Sequence, residues 1–360
     1  MRTPSFVLVV VTALVSTPSV AQWVNERMPN IPRMANGKAN LAAPAPRTPS
    51  GKPEFSGLWI ASFHPGYTIN LAADLDASDI QPWAAEAFAK RMNNLGADDP
   101  GTIGCQPLGP RSITGGGGIA ARQKIIQTES VIIVLYEHLE YRQIFMDGRQ
   151  LPKNPQPSYM GYSVGHWEGD VLVVESEGFK DTTWLDYGGR PHTEALHITE
   201  RYRRTDFGHI DRQITISDVK TFNKPIQVDS NLTFTPDTEL LEYVCAETPR
   251  ERYQSLGITK KEKIVRVERK TLSKYVGAYD FEGDAPFGIR TAGVSLSNDQ
   301  LVMDFNGKGK VPLIPLSQTT FSPRLLGTYE FVMDDHGVVT HLLAHSVEGS
   351  YKAVRRSDKN

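Results

Sequence analysis

Residues that could carry out acid-base chemistry are concentrated between positions 161 and 204. His192, His197 and Glu200 form the pattern His-x4-His-x2-Glu, which combines two imidazoles with a carboxylate. Imidazole changes its charge near neutral pH, and a neighbouring carboxylate can orient it for proton transfer. We therefore predict His192 or His197 as the catalytic base or acid. Glu200 or Glu137 is predicted as the orienting carboxylate.

The same histidines and carboxylate also have the side-chain types that ligate zinc or iron. If residues 196–203 form a strand, alternation of side chains places His197 and Glu200 on opposite faces. The pattern forms one site only if that strand bulges or if the loop with His192 folds over it. The alternatives are a metal centre and a ladder of polar residues inside a barrel. We expect no bound metal, and the sequence identifies no cofactor.

Glu137 directly follows the apolar run at residues 131–136. A carboxylate that is buried without a partner is costly. Glu137 is therefore either paired with a cation, for which Arg149 and Arg201 are the candidates, or it has a raised pKa suited to general-base catalysis. We favour the structural pair, and both interpretations stay open.

Aromatic and charged side chains in this region suggest a binding surface. Trp167 and Trp184 are predicted to form its apolar wall, because aromatic rings stack on sugars and on planar ligands. The alternative is that both rings are ordinary core residues. Asp186 lies on the same long connection as Trp184 and is included in the predicted site. Arg149 or Arg201 would hold an anionic group of the ligand.

Residues 161–165 spell Gly-Tyr-Ser-Val-Gly, which matches the Gly-x-Ser-x-Gly pattern of serine hydrolases. In those enzymes the serine lies on a sharp turn between a strand and a helix. Here Pro155 and Pro157 precede the pattern, and a turn into another strand follows it. We therefore do not expect Ser163 to be a nucleophile.

Short apolar runs predict the elements that position these residues. From residue 124 onward, β-branched runs alternate with turn formers about every ten residues, which is typical of an antiparallel barrel or sandwich. One helix is predicted from Asp79, as its cap, to Gly96, with Pro82 in its first turn. The predicted fold is mainly β: an antiparallel barrel or sandwich with one helix, followed by a second, small antiparallel β-barrel-like domain.

Changes in composition divide the chain into five segments. Residues 1–21 have the charged start, apolar run and small-residue end of a signal peptide. Residues 22–54 are rich in Pro, Ala and Asn, and they are predicted to form an extended, partly disordered leader. Residues 55–249 form the predicted site domain, residues 250–266 a charged linker, and residues 267–360 the second β domain.

The signal peptide predicts a periplasmic or secreted protein, and no later apolar run reaches the ~18 residues of a membrane span. In an oxidising compartment Cys105 and Cys245 are expected to form a disulfide, with two unpaired buried thiols as the alternative. A formal net charge of −2 excludes the broad positive field that nonspecific nucleic-acid binding requires. We expect a small-molecule ligand and no nucleic acid, and the oligomeric state is open.

A combination of short motifs between residues 55 and 247 resembles a widespread family of exported bacterial proteins. The motifs are Cys-Gln-Pro at 105–107, Gln-Thr at 127–128, Tyr-Glu-His at 136–138, Asp-Gly-Arg at 147–149, the segment 161–170, Gly-Phe at 178–179, Trp-Leu-Asp at 184–186, Pro-His at 191–192, Leu-His-Ile-Thr-Glu-Arg at 196–201 and Cys245. This resemblance implies export and no particular activity. The second domain, with Tyr-Val-Gly-Ala-Tyr at 275–279, Leu301 and Phe321, is similar to the lipocalin-like β domain appended to serine β-lactamase-like hydrolases. That similarity implies an accessory role.

These observations predict an exported protein that binds a small organic molecule, either saccharide-derived or aromatic, and transforms it by acid-base chemistry of His and carboxylate side chains. The alternative is a lipocalin-like binding protein in which the same residues bind without turnover. A structural envelope protein is a third hypothesis. Whether the protein is an enzyme is open at this point.

Overall fold

A computed structural model describes residues 27–103, 105–114, 122–244, 264–283, 285, 288–324, 326–346 and 349–357. The predicted signal peptide, residues 250–263 of the predicted linker, and Cys245 lie outside the described residues. The disulfide between Cys105 and Cys245 therefore stays a prediction. None of the described helices is long and apolar enough to span a membrane.

Within the described residues, nine strands close into a barrel. The strands are β1 (Gly57–Ser62), β2 (Arg122–Gln127), β3 (Val131–Tyr136), β4 (Tyr141–Phe145), β5 (Tyr162–Glu168), β6 (Val171–Glu177), β7 (His197–Arg204), β8 (His209–Ser217) and β9 (Ile226–Phe234). Each strand pairs with the next along the chain, and β9 pairs back onto β1 with Trp59 opposite Phe234. The pairs are antiparallel except β4 with β5, which run parallel.

Alternation of side chains along the strands fills the barrel. Strand β9 alternates between buried and less buried residues along its whole length. Two apolar groups result, one that includes Trp59 and Tyr202 and another that includes Ile198 and Ile214. On β7 the inward residues follow one another as Ile198, Glu200 and Tyr202, so Glu200 lies between the two apolar groups.

The described helices are short and lie in the first half of the chain, except for the last one. They are α1 (Pro65–Ile69), α2 (Pro82–Asn93), α3 (Pro100–Ile103), α4 (Pro110–Thr114) and α5 (Arg269–Tyr275). Helix α2 is the predicted helix, but its cap is Gln81 and not Asp79. Asp79 belongs to a preceding 3-10 turn, and its carboxylate pairs with Lys224 at 2.9 Å. The expectation of a single helix was wrong, because one-turn helices are too short to show a 3.6-residue period.

The second sheet is antiparallel at each described pair, in the order β13-β12-β11-β10-β18-β17-β16-β15-β14. Its strands are β10 (Gly277–Phe281), β11 (Thr291–Ser297), β12 (Gln300–Phe305), β13 (Lys308–Pro312), β14 (Ile314–Pro315), β15 (Thr320–Ser322), β16 (Thr328–Met333), β17 (Val339–Ser346) and β18 (Gly349–Arg355). Only Leu313 separates the two edge strands β13 and β14, so the sheet curls around its core of Tyr275, Tyr279 and Phe331. The predicted mainly β fold with two barrel-like sheets is confirmed.

Buried charged residues connect the barrel side of the molecule to the second sheet. The Asp99 carboxylate accepts hydrogen bonds from Arg111 Nη1 at 2.7 Å and from Arg324 Nη2 at 3.1 Å. The side chains of these three residues are at most 4% exposed. Arg324 follows β15 of the second sheet, so Asp99 holds residues from both parts of the chain. We call Asp99, Arg111 and Arg324 the junction cluster.

Residues 27–54 of the predicted leader contact the barrel. The backbone N–H of Gly208 donates to the Leu41 carbonyl at 2.8 Å. The Arg33 guanidinium pairs with the Asp237 carboxylate at 2.6 Å. Hydrogen bonds and ion pairs hold this part of the segment on the barrel surface, although its sequence shows no periodicity. These contacts were not foreseen by the prediction of an extended, partly disordered leader.

Candidate functional site

Two buried arginines share a buried carboxylate in the middle of the barrel. Arg142 Nη2 lies 2.6 Å from Glu200 Oε2, and Arg212 Nη1 lies 3.4 Å from Glu200 Oε1. The Tyr202 hydroxyl donates to Glu200 Oε1 at 2.5 Å. The three charged side chains are 1% exposed or less. We call Arg142, Glu200 and Arg212 the interior cluster.

Serine hydroxyls fix both guanidinium groups. Arg142 donates from Nε to Ser163 Oγ at 2.8 Å and from Nη2 to Ser176 Oγ at 2.6 Å. Arg212 Nε donates to Ser230 Oγ at 2.9 Å. Arg142 Nη1 and Arg212 Nη2 are buried and have no hydrogen-bond partner among the described residues. Each guanidinium is therefore fixed in place, and one nitrogen of each donates no hydrogen bond to the described residues.

The interior cluster carries a positive charge. It contains two guanidiniums and one carboxylate, and the neighbouring tyrosines do not supply a second anion. Burial raises the pKa of Tyr136 to about 12, and burial also raises the pKa of Tyr202. Burial lowers the pKa of Arg142, but Glu200 and the two tyrosines raise this pKa by more, so Arg142 stays charged.

A cleft opens in the barrel wall where β4 and β5 diverge. These parallel strands are paired at Ile144 with Ser163 and at Phe145 with Val164, whereas β3 and β4 are paired at five positions. The cleft has a volume of about 430 Å³, which suits a small organic molecule. Its lining residues include Glu140, Tyr141, Arg142, Phe145, Tyr159, Met160, Tyr162 and Ser163. We call this cavity the wall cleft.

Proline and glycine explain the path of the chain along one side of the wall cleft. Pro155 and Pro157 favour extended backbone in the connection that leads to β5. Gly161, just before β5, has a φ of +64°, and a Cβ there would lie 2.7 Å from the Glu177 carbonyl oxygen. Glycine is therefore required where the chain turns between Tyr159 and Tyr162.

Aromatic rings and cations surround the mouth of the wall cleft. The rings of Phe145 and Tyr162 stack with centroids 5.2 Å apart. The Arg149 guanidinium lies 4.0 Å from the Phe145 ring centroid and donates to the Tyr162 hydroxyl at 3.1 Å. Lys180 Nζ lies 4.5 Å from the centroid of the Tyr159 ring. The predicted anion-binding residue Arg149 thus lies at the edge of the wall cleft.

Glu140 supplies a buried carboxyl group to the wall cleft. It is 7% exposed, and it accepts hydrogen bonds from the Leu108 backbone N–H and from the Ser112 hydroxyl. Burial raises the pKa of Glu140, and these two hydrogen bonds and the charge of Arg111 offset only part of that rise. A carboxyl group whose pKa is shifted toward neutral pH is suited to proton transfer.

Glu140 should make the protein less stable as the pH rises. Because its pKa in the folded protein is raised above the ordinary value of 4.5, the stabilisation is fully present below pH 4.5 and is lost as the pH rises through the raised pKa. We expect the Tm of the wild type to fall relative to that of Glu140→Gln between about pH 4.5 and neutral pH. Thermal unfolding of both proteins across this range is the measurement. A constant difference in Tm would contradict the raised pKa.

The structure does not bring the predicted catalytic residues together. His192 is 2% exposed, and its Nε2 lies 2.8 Å from Thr183 Oγ1, outside the interior cluster. Burial lowers the pKa of His192 and favours the neutral ring. His197 lies on the outer face of β7, with Nε2 3.7 Å from Glu175 Oε1, while Glu200 lies on the inner face. The alternation that separates His197 from Glu200 is confirmed.

Glu137 has a cationic partner, but not one of the two predicted. Its Oε2 accepts a hydrogen bond from the Arg122 backbone N–H at 2.8 Å, and its Oε1 lies 3.5 Å from Arg122 Nη1. Arg201 instead pairs with Glu168 at 2.5 Å on the outer surface. The predicted pairing of Glu137 with Arg149 or Arg201 was wrong, because the turn after β3 places Glu137 beside the start of β2.

The two tryptophans do not form a common wall. Trp167 packs against Phe55, with ring centroids 5.9 Å apart. Trp184 is 3% exposed, and the guanidinium of Arg324 lies 5.1 Å from its ring centroid. Asp186 is also buried, and it accepts hydrogen bonds from two backbone N–H groups. Burial raises the pKa of Asp186. Trp184 and Asp186 thus lie near the junction cluster, away from Trp167.

The residues that line the wall cleft were mostly missed by the sequence analysis. The sequence did contain one indication of a polar interior: arginines occupy positions of strands that face the inside of the barrel, as at Arg142 on β4 and Arg212 on β8. Glu140 immediately precedes β4, and its burial gives no pattern in the sequence. The stacking of Phe145 on Tyr162 depends on the parallel contact of β4 with β5, which periodicity does not predict.

The described residues contain no group of three or more His, Cys, Asp or Glu side chains arranged to hold a metal ion. His192, His197 and Glu200, which the sequence analysis considered together, occupy three different surroundings. The pattern His-x4-His-x2-Glu therefore does not form a shared ligand set in this structure.

Comparison with known proteins adds no family to this description. No protein-family model matches the sequence, and no curated protein matches it with significant similarity. The resemblance based on short motifs therefore stays a prediction.

Proposed function

We propose that the protein binds a small organic molecule with a planar ring in the wall cleft and that Glu140 transfers a proton to or from it. The observation that carries this proposal is a cavity of about 430 Å³ whose lining includes four aromatic residues together with Glu140. Small-molecule sites in proteins combine apolar walls with a few converging polar groups in this way. Export through the signal-like residues 1–21 is part of the proposal.

The aromatic walls support a planar ligand. Tyr141, Phe145, Tyr159 and Tyr162 contribute rings around the wall cleft. Aromatic rings prefer offset or edge-to-face contact with another ring, and such contacts add about 0.5–1.5 kcal/mol beyond burial. Tyr141 is 62% exposed, so part of this aromatic surface is available to a ligand.

The proton-transfer role is assigned to Glu140 in place of the histidines. Glu140 lines the wall cleft, whereas His192 is enclosed away from it and His197 lies on the outer surface. A general acid or base must lie within hydrogen-bonding distance of the proton that it transfers. The position of a side chain is therefore the first criterion for assigning this role, and its pKa is the second. The raised pKa of Glu140 then adds support from chemistry.

Binding without turnover is the second candidate function, and one observation favours it. Both oxygens of Glu140 already accept hydrogen bonds, one from Leu108 and one from Ser112. A carboxyl group used in this way can serve to hold the loop before α4 against β4. In that case the wall cleft would bind its ligand as a lipocalin-like protein does.

A panel of ring compounds, screened by thermal shift and then by calorimetry, tests the binding step. Tyr162→Ala should weaken binding of any compound found by about tenfold, because the stacked wall is lost. The control is Tyr351→Ala, on β18 of the second sheet, which should leave the affinity unchanged. Equal affinities of the wild type and Tyr162→Ala for the compound would exclude the wall cleft as its binding site.

Glu140→Gln separates catalysis from binding. If Glu140 transfers a proton, this variant should bind the same compound within a few-fold but lose at least about a hundredfold in turnover. Product formation is followed by chromatography under single-turnover conditions. Unchanged turnover in a folded Glu140→Gln protein would exclude Glu140 as the acid or base. Absence of turnover in the wild type, with binding retained, would establish the second candidate.

A further inference from the structure

We propose that the planar ring in the wall cleft is the aromatic side chain of a short, extended peptide, and that the backbone of this peptide pairs with β4 along the cleft. The inference rests on the proposed function, because it assumes that a ring occupies the wall cleft. It adds the class of the ligand and assigns the part of the protein that recognises the ligand's backbone.

The first argument is the direction of the backbone groups of β4. The Glu140 carbonyl, just before β4, accepts a hydrogen bond from the Tyr136 N–H of β3 at 2.8 Å. Successive residues of an antiparallel strand direct their N–H and C=O groups alternately to opposite sides. The backbone groups of Tyr141 and Gln143 therefore point away from β3, toward the side on which the wall cleft lies.

Strand β5 does not pair with this part of β4. The paired residues of β4 on that side are Ile144 and Phe145. The hydrogen bonds of the described turns and loops include none to the N–H or C=O of Tyr141 or to the N–H of Gln143. Unpaired groups along a strand form a template on which another extended chain can add as a strand. We call these three groups the β4 edge.

The second argument is that the β4 edge lacks the side chains that usually protect a strand edge. Natural edges carry exposed charges or proline, which discourage pairing with another chain. Here the exposed side chains are uncharged: Leu139 is 71% exposed, Tyr141 is 62% exposed, and Gln143 is also exposed. The charged residues between them, Glu140 and Arg142, are buried. A bound peptide would cover the apolar surface of Leu139 and Tyr141.

The third argument is the position of the aromatic rings. Arg142 points into the barrel, so its neighbour Tyr141 and also Phe145 point outward, where the Phe145 ring stacks on that of Tyr162. In a strand added to β4, the side chain opposite Tyr141 points to the same face of the sheet as Tyr141. An aromatic residue at that position of the peptide would place its ring beside these outward rings.

An extended peptide also matches the shape of the wall cleft. The lining of the cleft includes two continuous stretches of chain, residues 139–143 on one side and residues 158–163 on the other, so a third chain can lie between them. Extended chains present their N–H and C=O groups toward one side at every second residue, about 7 Å apart. Tyr141 and Gln143 have the same spacing, so one peptide can pair with both.

The test titrates the wild-type protein, by calorimetry, with acetyl-Thr-Tyr-Thr-amide and with three analogues in which one residue N–H is replaced by an ester oxygen. We expect at least one analogue to bind about fivefold more weakly than the peptide, because a backbone hydrogen bond is lost. Equal affinities of all four compounds overturn the strand pairing and leave the proposed function standing. Binding of 4-methylphenol, the isolated side chain, without binding of the peptide has the same meaning. Binding of neither counts against the proposed function itself.

Gln143→Pro assigns the pairing to the β4 edge. Proline removes the N–H that points to the wall cleft, whereas the hydrogen bonds from β4 to β3 come from the residues on either side. This variant should bind the peptide about fivefold more weakly than Gln143→Ala, which loses the same side chain but keeps the N–H. Both variants should bind 4-methylphenol with similar affinity. Equal affinities of the two folded variants for the peptide overturn the assignment to the β4 edge. If Gln143→Pro does not fold, the ester analogues still decide on the wild type.

Discussion

Replacing Glu200 with alanine is expected to lower the free energy of unfolding by about 3–5 kcal/mol. Arg142 and Arg212 would both lose the carboxylate that pairs with them inside the barrel, and neither guanidinium is exposed to water. The Tyr202 hydroxyl would also lose its acceptor. Denaturant unfolding of the wild type and Glu200→Ala, followed by tryptophan fluorescence, measures the difference.

The control for Glu200 is Glu168, which pairs with Arg201 on the outer surface at 2.5 Å. Water screens this pair, so Glu168→Ala should change the free energy of unfolding by about 1 kcal/mol or less. If Glu200→Ala cost no more than Glu168→Ala, the interior cluster would have to reach water or another anion.

Replacing Asp99 with alanine is expected to destabilise the protein by a similar amount, about 3–5 kcal/mol, for a related reason. Asp99 accepts from Arg111 and from Arg324, and the side chains of all three residues are buried. Because Arg324 follows a strand of the second sheet, the loss should also loosen the contact between the two parts of the chain. Differential scanning calorimetry should show a lower Tm and two separated transitions.

Asp280→Ala is the matched control for Asp99. Its carboxylate pairs with Arg356 at 2.6 Å, but this pair is exposed. Exposed pairs contribute about 0–1 kcal/mol, so the Tm should change little and the transitions should stay as in the wild type. A single transition with an almost unchanged Tm in Asp99→Ala would show that the junction cluster contributes little to holding the two sheets together.

The mainly β fold was predictable because its strands carry clear alternation. Strand β9 places buried residues at every second position from Ile226 to Phe234, and all of them except Ser230 are apolar. The turn formers between strands mark the hairpins. The short helices were not predictable in the same way. Helices α1, α3 and α4 each start at a proline and last about one turn, so their stability comes from tertiary contacts and not from a repeating pattern.

The candidate site was predictable only in part. Alternation on β7 correctly separated His197 from Glu200, and this separation follows directly from strand geometry. The surroundings of His192 depend on how a long loop folds, and local sequence does not determine that path. The role of Glu140 depends on contacts with Leu108 and Ser112, about 30 residues earlier in the chain. Such contacts arise from tertiary structure and leave no local pattern.

The number of strands in the described barrel has a further geometric consequence. Strands that reverse direction at every step around a closed ring must be even in number, so a ring of nine requires at least one pair that runs the same way. Strands β4 and β5 are that pair, and residues 146–161 carry the chain back along the barrel before β5 begins. The odd number of strands therefore requires this parallel pair, and the wall cleft lies beside it. A closed barrel of eight or ten strands could have antiparallel pairs throughout, without a parallel pair such as β4 and β5.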